Sequence, residues 1–278
     1  MKRIFLVAVW QCLTLLASAQ SCCVQQGSDF QLLAMNDDFQ GAHLSPEPFA
    51  YTPKEFSSMI TFKTDDAKDG RAFYVPSSQA THNVLIIFHE WWGLNDYIKK
   101  EAERWQELLG NVDVYAIDLY DGQVAAEAKD AARLSQALDK KRGEVLVKGL
   151  IAKIGINHRI ATLGWCMGGS WSFTATRMLD KRAAGCVMYY GFPEKDEDKV
   201  KELKTDVLYI YATQDKFITK DDVDYFEKQV LATGKGFERH DYNAVHAFAN
   251  PSNPQFAAKE AKAAEVFAVE FLKKRLQL

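Results

Sequence analysis

At 278 residues, with 47% hydrophobic and 26% charged residues, the chain can bury the core of one large α/β domain or of two smaller ones. A net charge of −3 leaves no broad basic field, which excludes nucleic acid as a partner chosen by bulk charge.

Lys2-Arg3 precede an apolar run over residues 4–16 and then Ala17-Ser18-Ala19, the layout of a secretory signal cleaved before Gln20. The run is too short to span a bilayer, so the expected product is exported, periplasmic or secreted, with no stable membrane span. Cys12 leaves with the signal. Cys22-Cys23 read either as a lipid attachment site, although Ala19-Gln20-Ser21 lacks the usual preceding leucine, or as disulfide partners in an oxidising compartment. Residues 20–57 carry Pro46, Pro48 and Pro53 without periodicity and read as an irregular N-terminal extension packing across the domain.

From residue 58 onward, strand and helix patterns alternate. Residues 58–63 and 71–75 are expected strands forming a hairpin around Asp69-Gly70, and the unbroken apolar run 84–88 reads as a strand buried on both faces. Residues 97–109 have helical spacing and end at Gly110; 112–119 is the next strand; 124–138 and 144–154 are expected helices, broken near Gly143. Strand 160–163, helix 169–179, strands 184–190 and 207–212, helix 220–231, strand 237–241 and a helix over 255–275 complete the series. This alternation implies one α/β domain over 58–278, a mainly parallel sheet with helices on both faces.

In such a sheet the reactive groups collect at the carboxyl ends of the strands. Gly164-Trp165-Cys166-Met167-Gly168 joins a strand to a helix, with a thiol at the apex and glycines two before and two after it. A nucleophile elbow needs that spacing, because the strained turn crowds the flanking Cβ positions. Asp215 follows the strand 207–212 and His246 follows 237–241, which gives the order nucleophile, acid, base of the α/β-hydrolase arrangement. His246 would exchange the thiol proton and Asp215 would orient it, with the Trp91 and Met167 backbone N–H groups facing the developing oxyanion. Cys186, in an apolar run, reads as core, and His89, His158 and His240 as structural or exposed residues. No H-E-x-x-H or C-x-x-C spacing supports a metal, and no cofactor is expected.

The stretches Phe88-His89-Glu90-Trp91-Trp92-Gly93-Leu94-Asn95, Ile117-Asp118-Leu119-Tyr120, Gly164-Trp165-Cys166-Met167-Gly168-Gly169, Tyr189-Tyr190-Gly191 and His246-Ala247-Phe248-Ala249-Asn250-Pro251 resemble the dienelactone hydrolase family, over about residues 58–275. That resemblance implies an α/β-hydrolase fold and a Cys-Asp-His triad of Cys166, Asp215 and His246 acting on esters or lactones. It also implies that Glu90 accepts a hydrogen bond from the resting thiol until substrate displaces it. Two family arginines that hold the dienelactone carboxylate are absent: Asp121-Gly122 and Asn250 stand in their places. Dienelactone is therefore a poor candidate. Trp91, Trp92, Tyr120, Trp165, Phe192 and Phe248 point instead to an aromatic, largely apolar pocket. The expected protein is a monomeric, cofactor-free hydrolase of a small-molecule ester or lactone. The alternative is a small-molecule-binding protein that keeps the fold without turnover. A redox role for Cys22-Cys23 ranks below both, for want of a C-x-x-C motif.

Overall fold

The computed structural model describes residues 29–278. The expected signal segment and Cys22-Cys23 lie outside the described residues. Two six-residue helices, α1 (Asp29–Ala34) and α2 (Asp37–Ala42), open the described residues where an irregular extension was expected. The Asn36 side chain starts α2 by accepting the Asp38 and Phe39 N–H groups. The elements that follow are β1 (Ser58–Phe62), β2 (Gly70–Val75), β3 (Asn83–Phe88), α3 (Asp96–Leu109), β4 (Asp113–Ile117), α4 (Ala128–Ala137), α5 (Lys140–Ile154), β5 (Arg159–Trp165), α6 (Met167–Met178), β6 (Ala183–Tyr189), α7 (Glu197–Lys201), β7 (Val207–Ala212), α8 (Lys220–Ala232), β8 (Phe237–Tyr242) and α9 (Ala258–Leu276).

The strands form one sheet in the order β1-β2-β4-β3-β5-β6-β7-β8, parallel from β4 to β8 and antiparallel where β2 meets β1 and β4. Successive residues of a strand face opposite sides. In β6 a Cβ on Gly185 would meet Phe271 and Arg275 of α9, while the Cys186 sulfur lies 3.6 Å from Ser172 Oγ of α6. Helices α9 and α6 therefore cover opposite faces. Cys186 is core, as its apolar surroundings indicated.

Two local expectations are corrected. The β1–β2 connection is not a tight turn at Asp69-Gly70 but the loop 63–69, with Gly70 already paired to Phe62. A Cβ at Gly70 would lie 2.2 Å from the Phe62 ring, so this glycine makes room for a phenylalanine. The helix break falls at Leu138-Asp139, where the Asp139 carboxylate caps α5, and Gly143 lies inside that helix. A Cβ on Gly143 would meet the Trp171 ring at 2.1 Å, so close helix packing, not a turn, requires the glycine. Among the described residues no helix is long and apolar enough to cross a membrane.

Candidate active site

The parallel strands β3, β5, β7 and β8 deliver their following residues to one edge of the sheet. Cys166, directly after β5, has φ 53° and ψ −119°, a conformation that L residues rarely adopt. The surroundings enforce it. A Cβ on Gly164 would lie 2.1 Å from the Gly168 carbonyl oxygen, and one on Gly168 would lie 2.2 Å from the Phe88 carbonyl oxygen. The Cys166 N–H donates to the Tyr189 carbonyl at 3.0 Å, which ties the apex to β6.

His246 Nε2 lies 3.1 Å from Cys166 Sγ, and its Nδ1 lies 2.6 Å from Asp215 Oδ2. The other Asp215 oxygen accepts the Phe217 and Ile218 N–H groups. Burial opposes charge on Asp215, but His246 and those N–H donors outweigh it and hold the carboxyl below its ordinary range. Burial pushes the Cys166 thiol up, against the pull of His246, so the resting sulfur keeps its proton. Burial also works against a His246 imidazolium, yet the Asp215 carboxylate and a Cys166 thiolate together raise its pKa well above the ordinary value. The lift is largest once the thiol has given up its proton. Among the described residues, neither the Trp91 nor the Met167 N–H donates to another backbone carbonyl, and the Met167 N–H favours the thiolate.

Glu90 differs from what the resemblance implied. The thiol is paired with His246, and the Glu90 carboxylate instead accepts from Asn250 Nδ2 at 2.5 Å and from the Tyr190 hydroxyl at 3.5 Å. The physical reason lies at Asn250. Standing where the resemblance placed an arginine, it leaves an amide donor beside Glu90, and the carboxylate turns to it. Glu90 is fully buried, and burial pushes its pKa up to about 7 despite His246, Asn250 and Tyr190. The unfolded carboxyl loses its proton near the ordinary 4.5, the folded one near 7, so this group's stabilisation is complete below pH 4.5 and is lost as pH rises between the two values. Glu90→Gln removes that loss. Urea unfolding should show the variant gaining about 2 kcal/mol on the parent between pH 5 and pH 8. A difference independent of pH would rule out a protonated Glu90.

His89 is structural, as anticipated. Its Nδ1 meets the Glu90 carbonyl and its Nε2 accepts the Leu119 N–H, bridging the ends of β3 and β4. Five of the six aromatics assigned to a pocket are instead core. Trp92 packs edge-on against Trp91, Trp165 against Tyr189 and Phe248 against Tyr190, while the Tyr120 hydroxyl donates to the Met167 sulfur. All five are buried. Phe192 does line a cavity of about 400 Å³ beside Met167, together with Phe30, Leu138, Trp171 and Thr174.

The covering segment is α1–α2. Phe30 meets Phe192 edge-on with ring centres 5.5 Å apart, and Phe39 lies 5.2 Å from the Trp91 ring and 4.9 Å from that of Phe217. His43, just past α2, sits 4.7 Å from Trp91 and 5.3 Å from His246, ring to ring. Burial, and then the charge of His246, push the His43 pKa down to about 3. Cys166 has no exposed surface beneath this cover. His43 has no motif around it in the sequence; the signal that existed was Phe39 and His43 four residues apart, one helical face.

The Dienelactone hydrolase family model matches residues 71–276. Carboxymethylenebutenolidase 1 of Cupriavidus pinatubonensis is 26% identical over 205 residues, spanning 68% of this chain and 85% of the relative. Among solved structures, a dienelactone hydrolase-like promiscuous phosphotriesterase from metagenomic libraries has a TM-score of 0.64 at 18% identity, covering 78% of this chain and 98% of its own. An esterase of Pyrococcus furiosus has a TM-score of 0.60 at 13% identity, covering 84% of this chain and 98% of that one. At these identities the structural likeness carries the fold, an α/β-hydrolase sheet with its flanking helices.

Proposed function

Because this chain belongs to the dienelactone hydrolase family, we propose that it hydrolyses carboxylic esters or lactones with Cys166 as nucleophile, His246 as base and Asp215 as the acid that orients it. The observation that carries this reading is the continuous hydrogen-bonded line from Asp215 through His246 to Cys166. His246 takes the thiol proton as the sulfur attacks the acyl carbon, and the carbonyl electrons move onto oxygen. The Trp91 and Met167 N–H groups stabilise that oxyanion. Collapse expels the alcohol, which receives the proton from His246. A water then loses a proton to His246, attacks the thioester and releases the carboxylic acid and the thiol.

Substrates are neutral around the scissile bond. A carboxylate-bearing lactone would meet Asp121 and Asn250 where cations are needed, and two cations beside Asp121, Arg142 and Lys68, are already paired with it. The cavity beside Met167 takes an apolar part of the substrate, against Phe30, Trp171 and Phe192.

Acid quenching during turnover of a p-nitrophenyl ester, followed by mass spectrometry of the digest, tests the nucleophile. The acyl mass should sit on the peptide carrying Cys166. Its appearance on Ser170 instead, four residues further on, would sink the assignment. The complete burial of Cys166 under α1–α2 favours one other reading, a fold that binds a small molecule without turnover. Product release without any acyl adduct, or binding without product, separates the two.

A further inference from the structure

The cover over the nucleophile brings a third metal-type donor to the thiol and the imidazole. One ring nitrogen of His43, the Cys166 sulfur and one ring nitrogen of His246 lie within 4.8 Å of one another, and all three residues are buried. His43 Nδ1 lies 2.7 Å from the Phe39 carbonyl, a contact that requires an N–H, so Nε2 carries the lone pair. That Nε2 is buried with no hydrogen-bond partner. A buried acceptor left unpaired is costly, because it has given up its hydrogen bonds to water. His246 is built the same way. Its Nδ1 is fixed by Asp215 and its Nε2 points at the sulfur. An imidazole whose outer nitrogen is held by a carbonyl or carboxylate is the form in which proteins present histidine to a metal ion.

We infer that His43 Nε2, His246 Nε2 and Cys166 Sγ together bind a divalent cation of the zinc class, which latches residues 29–43 over the nucleophile. Two imidazoles and a thiolate are a donor set for a borderline-soft ion, with a fourth position left open. Tetrahedral zinc places its ligand atoms about 3.5 Å apart. The His246–Cys166 pair already stands at 3.1 Å, and His43 has to close by about 1 Å to complete the set. Binding replaces the thiol proton, which leaves to solvent, by the metal–sulfur bond. Local spacing could not reveal this site, because its ligands come from positions 43, 166 and 246.

While coordinated, the sulfur cannot attack and His246 cannot accept a proton. This inhibitory consequence rests on the hydrolytic reading above; the binding does not.

Co²⁺ is the probe, because a cobalt–thiolate bond gives a charge-transfer absorption. Titration of the full chain should give that band, saturating at one equivalent and displaced by Zn²⁺. It should be lost in Cys166→Ser. Affinity should fall at least about a hundredfold in His43→Ala, since a direct ligand matters no less than the outer groups worth ten- to a hundredfold. His43→Cys, which restores a ligand, should recover tight binding, and that recovery separates a lost ligand from a misfolded segment. Co²⁺ bound equally tightly by His43→Ala, or bound without the band, overturns the site. In parallel, one equivalent of Zn²⁺ should suppress ester hydrolysis and a chelator restore it. A chain that shows the band but no hydrolysis with or without metal keeps the site and loses the hydrolytic reading.

Discussion

Cys166→Ala should lower kcat/KM for a short p-nitrophenyl ester by about 10⁴-fold or more, measured on purified protein against the uncatalysed rate. The substitution deletes one buried sulfur and keeps a Cβ where the parent residue has one, so the strained φ of 53° is neither relieved nor worsened. The fold should survive, and urea unfolding run beside the assay checks that it does. Because Cys166, His246 and Asp215 act through one hydrogen-bonded line, their effects should not add. His246→Ala placed on top of Cys166→Ala should cost almost nothing more. Retention of a tenth of the parent rate by Cys166→Ala, with an unchanged unfolding midpoint, would remove Cys166 as the nucleophile.

Gly164→Ala should cost about 3 kcal/mol or more of unfolding free energy and depress activity with it. The added Cβ would stand 2.1 Å from the Gly168 carbonyl oxygen and 2.3 Å from its carbon, both backbone atoms with no rotamer to swing away. Either the end of β5 or the first turn of α6 has to move. Each carries a working part: β5 leads into Cys166, and α6 begins with the Met167 N–H. The change is thus felt twice, in the urea midpoint and in kcat. A variant as stable as the parent would mean that the elbow is looser than the Gly164–Gly168 contact requires.

The sheet was legible because a two-sided buried strand announces itself. Strand 207–212 was located to the residue, since every position of β7 is buried and apolar or aromatic. Cys166 and Asp215 were legible for a related reason, each following such a run; His246 follows the half-exposed edge strand β8 and was legible from its place in the order nucleophile, acid, base, which the contacts match. What failed was whatever a distant neighbour decides. Gly143 looked like a helix break because its reason for being glycine, the Trp171 ring, lies 28 positions away. Trp92 and Phe248 looked like pocket walls because aromatic residues near a site read alike whether or not the site is covered. Glu90 looked like the thiol's partner until Asn250, 160 positions on, claimed its carboxylate.

The segment α1–α2 touches the domain through rings, with Phe30 on Phe192, Phe39 on Trp91 and Phe217 and His43 on Trp91 and His246, and through hydrogen bonds from Gln31 to the Ser135 and Leu138 carbonyls. Burying a phenylalanine side chain yields about 2 kcal/mol, and ordering the backbone that carries it takes back 1–2 kcal/mol per residue, so this cover can open without unfolding the sheet. Substrate then competes against closure. Each 1.4 kcal/mol by which the closed form is favoured weakens apparent affinity tenfold, whatever the pocket itself would bind. Reactivity at Cys166 is therefore set by two dials that sequence changes can turn separately: the chemistry at the elbow, and the fraction of time the elbow is reachable.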